Sequence, residues 1–105
     1  MAPVNFISKA DDLLLAVKNA SKGRLQRQAN GMYSAATNTG RAEVISNELL
    51  STAHLELNNG DIFTRTIVNN KPVDSACISG LQVLDGSDMK AADSLWNAFL
   101  NTIFG

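Results

Sequence analysis

A single cysteine, Cys77, among 105 residues excludes a disulfide within the chain and any metal centre built from cysteine pairs. Histidine is equally scarce. His54 stands alone, and no Cys-x-x-Cys or His-Glu-x-x-His spacing occurs, so the chain is expected to hold no zinc and no other cofactor. The longest uninterrupted apolar run, Leu13 to Val17, is far short of the roughly 20 residues a membrane span needs. The segment Met1 to Ile7 lacks the basic start of a signal peptide and runs into Lys9, Asp11 and Asp12. These features fix no compartment and leave the cytoplasm and the interior of an assembled particle as the settings to expect. Glycines occur singly, at Gly31, Gly40, Gly60, Gly80 and Gly86, in no pattern that would cradle a phosphate.

Charge is low at 18% of residues, against roughly a quarter in an average soluble domain, while apolar residues make up 45%. That balance predicts one folded domain spanning residues 1–105, with a surface that repels its neighbours weakly. The few charges are segregated. From Leu13 to Ala42 the chain carries Lys18, Lys22, Arg24, Arg27 and Arg41 and no acid; from Glu43 to Thr64 it carries Glu43, Glu48, Glu56 and Asp61 and no Lys or Arg. Blocks of opposite sign suit a partner contact, which includes contact with another copy.

Hydrophobic spacing predicts a mainly α fold of three or four amphipathic helices, with a β-hairpin admitted near residues 55–68 and an α+β domain as the alternative. The first helix runs from a Ser8 cap to about Lys22 and buries Ala10, Leu13, Leu14, Val17 and Ala20. Leu15 falls off that face and needs a second contact or is exposed. Leu25, Ala29, Met32, Tyr33 and Ala36 fit a second helix interrupted at Asn30-Gly31. Ala42, Ile45, Leu49, Leu50 and Ala53 fit a third, leaving Val44 outside its stripe. Beyond it His54-Leu55-Glu56-Leu57 alternates like a strand, and Asn59-Gly60 reads either as a hairpin turn or as a helix cap. Residues 73–84 fit a short helix or extended pieces broken at Gly80. The last helix follows Asp85-Gly86-Ser87-Asp88 and aligns Met89, Ala92, Leu95, Trp96, Phe99, Leu100 and Ile103.

No catalytic constellation stands out. His54 reads as a surface or structural residue, with Glu56 on its side only if the stretch is extended. Cys77, in an apolar run, reads as buried and inert. Asp93-Ser94-Leu95 resembles the tripeptide at which acyl carrier proteins accept a phosphopantetheine arm, Ser94 being the would-be attachment residue. In that family the tripeptide precedes a helix and much of the domain follows; here ten residues follow and the tripeptide lies within a helix, so no arm is inferred.

The expectation is therefore a non-enzymatic structural or assembly subunit, such as a virion or secretion-type particle component, packing helices against itself or a larger partner. Its candidate interface comprises Leu15, Lys18, Lys22, Arg24, Arg27, Glu43, Glu48 and Glu56. The alternative is a nucleic-acid-binding accessory or regulatory protein that uses the Lys18–Arg27 cluster, although a pI near 5.6 is far below that of domains dependent on phosphate contacts.

Overall fold

A period of two organises the middle of this chain. The computed structural model describes residues 10–46, 50–69, 71–85 and 89–105. Helix α1 (Ala10–Ala20) is followed by seven strands, β1 (Gln26–Arg27), β2 (Tyr33–Ala36), β3 (Gly40–Ser46), β4 (Leu50–Leu57), β5 (Ile62–Val68), β6 (Lys71–Ile78) and β7 (Leu81–Asp85), and then by α2 (Met89–Phe104). The strands form one sheet in sequence order, and every neighbouring pair is antiparallel.

This overturns the mainly α, helical expectation. Only the first and last predicted helices form, and the segments predicted as helices between Arg24 and Ala53 are strands. The spacing Ala42, Ile45, Leu49, Ala53 satisfies a helix but leaves Val44 and Leu55 off the stripe. A strand reading instead collects Ala42 and Val44 on β3 and Ala53 and Leu55 on β4, all four fully buried. Ile45, assigned to the helical stripe, is half exposed, and Leu49 lies outside the described residues. The Ser8 cap also lies outside them.

Turn chemistry fixes the register. Ser79 and Gly80 both have positive φ, 56° and 79°, as a two-residue type I′ turn requires, and they join Ile78 directly to Leu81. Asn59-Gly60 turns β4 into β5 with Gly60 at φ 96°. Pro72 is accommodated on β6 because it lies beyond Ser75, the last residue of β6 that pairs with β7.

Both helices pack on one face of the sheet, against β3, β4 and β5, and touch each other. Between the layers, Leu13 and Val17 of α1 and Trp96, Phe99, Leu100 and Ile103 of α2 meet Val44, Leu55, Phe63 and Ile67 of the sheet. The C-terminal end of α2 is held by the β2–β3 loop. Thr37 Oγ1 donates to the Ile103 carbonyl at 2.6 Å and Thr39 Oγ1 to that of Thr102 at 2.6 Å, satisfying acceptors that the helix end leaves open. Gly40 makes this approach possible, since a Cβ there would lie 2.5 Å from the Glu56 carbonyl oxygen and 3.0 Å from Ile103 Cγ1.

A buried ion pair lies inside this core. Arg65 faces inward from β5 with no exposed surface. Its Nε donates to Asp74 Oδ1 at 2.7 Å, from the cross-strand position on β6, and its Nη2 donates to Asp93 Oδ1 on α2 at 2.8 Å. The guanidinium also lies 5.0 Å from the centre of the Trp96 ring and 5.8 Å from that of Phe63. Asp93, in the tripeptide that resembles an acyl-carrier site, is thus an ion-pair partner that fixes α2 to the sheet.

Candidate functional site

The face of the sheet opposite the helices carries the side chains that the core does not use. Register aligns them in rows across the strands. At one end Ile45, Thr52, Thr66 and Val73 lie side by side, with Leu50 and Val68 beside them. Ile45, Leu50, Val68 and Val73 are all exposed, Val73 to 55%, and Thr52 and Thr66 share a hydroxyl contact of 3.3 Å. The middle row runs Ser34, Glu43, His54, Thr64, Ser75. The other end runs Ala36, Arg41, Glu56, Ile62, Cys77 and Gln82.

The extended backbone places His54 and Glu56 on the same side, the condition the sequence set for their contact. His54 Nε2 lies 3.4 Å from Glu56 Oε1, and His54 Nδ1 lies 3.3 Å from Thr64 Oγ1. Hydroxyl, imidazole and carboxylate in line are the parts of an activated nucleophile, but both contacts exceed the roughly 2.6–3.2 Å of a working relay. The amides of β4 and β5 here are spent in the ladder, so they offer no paired donors to an oxyanion. Glu56 is also shared with Arg41, whose Nη2 is 3.3 Å from it, while Arg41 Nε reaches Glu43 at 3.8 Å. A shallow depression of about 390 Å³ beside this pair is lined by Ala36, Thr37, Gly40, Arg41, Glu56 and Asn58, and its two charged groups neutralise each other.

The predicted interface residues separate in space. Glu43 and Glu56 lie on the open face, paired with Arg41, and Glu48 lies outside the described residues. Lys18 lies in the last turn of α1, Lys22 and Arg24 flank Gly23 in the turn after it, and Arg27 is in β1; all four are exposed. The Lys18 ammonium lies 5.1 Å from the centre of the Tyr33 ring, and Tyr33 faces Arg27 across the strand pair. Among the described residues these four make no ion pair with a carboxylate. Leu15 is 55% exposed on α1, off the apolar face as its spacing implied.

Three features escaped the sequence reading. The sequence reading places Ile45 on a buried helical stripe, assigns Arg65 no role, and leaves residues 73–84 between a short helix and extended pieces broken at Gly80. The strand at the free edge, β7, exposes Leu81 to 70% and Val83 to 51%. Period two around Phe63, Arg65 and Ile67 was the available signal for the buried guanidinium.

Cys77 corrects a further expectation: it is exposed on the open face, not buried. Its apolar sequence neighbours, Ala76 and Ile78, both belong to the inner face of β6, whereas Cys77 points outward. A thiol reagent should therefore label native protein within a few-fold of the rate for unfolded protein. Labelling slower by about a hundredfold or more would place the thiol in the core after all.

Among the described residues no group of three or more His, Cys, Asp or Glu side chains could hold a metal, and no helix is long and apolar enough to cross a membrane. Comparison with known proteins finds no matching family model, no similar curated protein and no similar solved structure.

Proposed function

We propose that this chain is a non-enzymatic assembly subunit whose open sheet face packs against protein, in the first instance another copy of itself. The observation that carries the reading is that, among the described residues, helices cover one face only, while the other gathers Ile45, Leu50, Val68 and Val73 into an exposed apolar end. A solvated antiparallel face ordinarily carries polar side chains, so a cluster of branched apolar residues there favours burial against a partner. Size supports this. Strands β3 to β6 alone present a floor of about 20 by 25 Å, and β2 and β7 widen it toward the roughly 800 Å² per partner of a stable interface. Sheet packing thereby replaces the helix packing expected from sequence. Charge complementarity still has a place: Lys18, Lys22, Arg24 and Arg27 lack acidic partners among the described residues, whereas Glu43 and Glu56 lie on the open face. A particle component, of a virion or secretion-type assembly, is the kind of role such surfaces suit.

Light scattering across concentration tests the reading. The wild-type chain should form species larger than a dimer, and the double variant Ile45→Asp/Val73→Asp should stop at the dimer or the monomer with unchanged thermal stability. A wild type that stays monomeric at every concentration would reject the assembly role.

The same cations, without acidic partners among the described residues, favour a second reading, an accessory protein that binds nucleic acid through phosphate contacts at the Lys18–Arg27 strip. In that case Arg24→Glu/Arg27→Glu would abolish salt-sensitive retention on nucleic acid and leave self-association intact.

A further inference from the structure

We infer that two copies of this chain join through β7, strand to strand and antiparallel about a two-fold axis at Gln82, to make one continuous sheet. The inference rests on the assembly reading and specifies its first interface. The sheet has two edges of unlike character. On one side β1 is only two residues long, and exposed Arg24 and Arg27 lie at it. A short strand with cations beside it is a blunted edge. On the other side β7 is Leu81-Gln82-Val83-Leu84-Asp85, with no Lys, Arg or Pro, and it exposes Leu81 and Val83. That edge carries neither the Lys nor the Pro by which strands commonly avoid pairing, and its one charged residue, Asp85, stands at the end of the strand away from Gln82.

The occupant follows from this asymmetry and from the hydrogen-bond pattern. Head-to-tail pairing of β7 with β1 would meet a two-residue strand, so an open filament gains little. Isologous pairing of β7 with β7 uses the open edge of both copies and closes as a dimer. The type I′ turn at Ser79-Gly80 makes Ile78 and Leu81 the hydrogen-bonded pair that closes the hairpin, so the next residue, Gln82, turns its own N–H and C=O away from β6. Two copies of Gln82 can then exchange both backbone bonds across the axis. The same register sets Leu81 opposite Val83 of the second copy, twice, and Asp85 opposite an uncharged Ser79. Apolar residues face apolar ones, and no like charges are opposed. The register shift at Ala76/Cys77 leaves Val83 as the extra residue of β7, next to the axis, which limits the backbone ladder to a short central stretch around Gln82. The dimer is accordingly expected to depend on concentration and, lacking charged pairs, to be nearly indifferent to salt.

Cross-linking reads the register directly. In a Cys77→Ser background, Gln82→Cys would place two thiols on the axis with Cα atoms about 5.5 Å apart, within the range of a disulfide. Mild oxidation should yield a covalent dimer in high fraction, while Thr64→Cys at the middle of the open face should not. Leu81→Lys/Val83→Lys should raise the concentration at which dimers form by at least about tenfold, since like charges would then face each other across the strands. Both positions are exposed, and an unchanged melting curve establishes that these variants fold. If the wild type assembles but Gln82→Cys stays monomeric after oxidation, or Thr64→Cys cross-links in its place, the edge contact is wrong and the assembly role stands. If the wild type is monomeric throughout, both fail.

Discussion

Arg65→Ala is expected to destabilise the chain by about 3–5 kcal/mol, among the largest effects of any single substitution. The reason lies less in the bonds removed than in what remains. Asp74 is 3% exposed and faces the guanidinium across the β5–β6 pair, so without Arg65 its carboxylate is buried with no cation. Desolvating an unpaired carboxylate is what makes breaking a buried pair costly, and a small domain has only about 5–15 kcal/mol in total. Asp93 is less committed. Its side chain is 19% exposed and can turn toward water, so Asp93→Asn should cost clearly less than Asp74→Asn.

The buried pair is not itself a source of net stability. Among the described residues Arg65 Nη1 has no hydrogen-bond partner, and a buried donor left unsatisfied adds to the desolvation cost. Replacing both members with apolar residues, as in Arg65→Met/Asp74→Leu, should therefore recover most of the loss and restore a melting point near that of the wild type. What the pair supplies is position: one guanidinium joins β5, β6 and α2 and so sets how α2 lies on the sheet. Denaturant melts of these four variants decide the matter. A loss below about 1 kcal/mol for Arg65→Ala would mean that water reaches the cluster and that the core is looser than described.

How much of this was legible in the sequence depended on which period each segment obeyed. In α1 and α2 the helical spacing had no rival. Met89 to Phe104 places Ala92, Trp96, Phe99 and Ile103 on one face, and those residues are buried as the spacing demanded. From Arg24 to Leu84 the two periods overlapped. Short strands of Ala, Ser and Thr offer few large apolar residues to mark the inner face, so Ala42 and Ala53 satisfied either reading. The local signals that did discriminate were turns: Asn59-Gly60 and the break at Gly80 both proved to join paired strands. Of the candidate interface, the sequence identified Leu15 as an apolar residue off its helix face but had no means to identify Leu81 or Val83. Their exposure depends on β7 being the last strand of the sheet, which is a property of topology and is not written in any window of residues.

Trp96→Ala should cost about 3–5 kcal/mol, comparable to the loss at Arg65, and for a different reason. Trp96 is 3% exposed where α2 crosses the sheet, and its ring meets Phe63 at 5.8 Å between centroids with the planes tilted by 56°. Removing it opens a cavity between two layers that hydrogen bonds, the Arg65 cluster and the Thr37 and Thr39 contacts hold at fixed separation, so the site cannot collapse to fill it. The ring also covers Arg65, with the guanidinium 5.0 Å from its centre, and its loss would let water approach the buried ion pair. The two substitutions should therefore couple: Trp96→Ala/Arg65→Ala should cost less than the sum of the single variants by about 1 kcal/mol or more, because each already exposes part of what the other protects. Trp96→Phe keeps a ring against Phe63 and should lose less than half as much as Trp96→Ala. Additive losses in the double variant would show that the indole and the guanidinium act independently, and a loss below about 1 kcal/mol for Trp96→Ala would remove the indole from the core altogether.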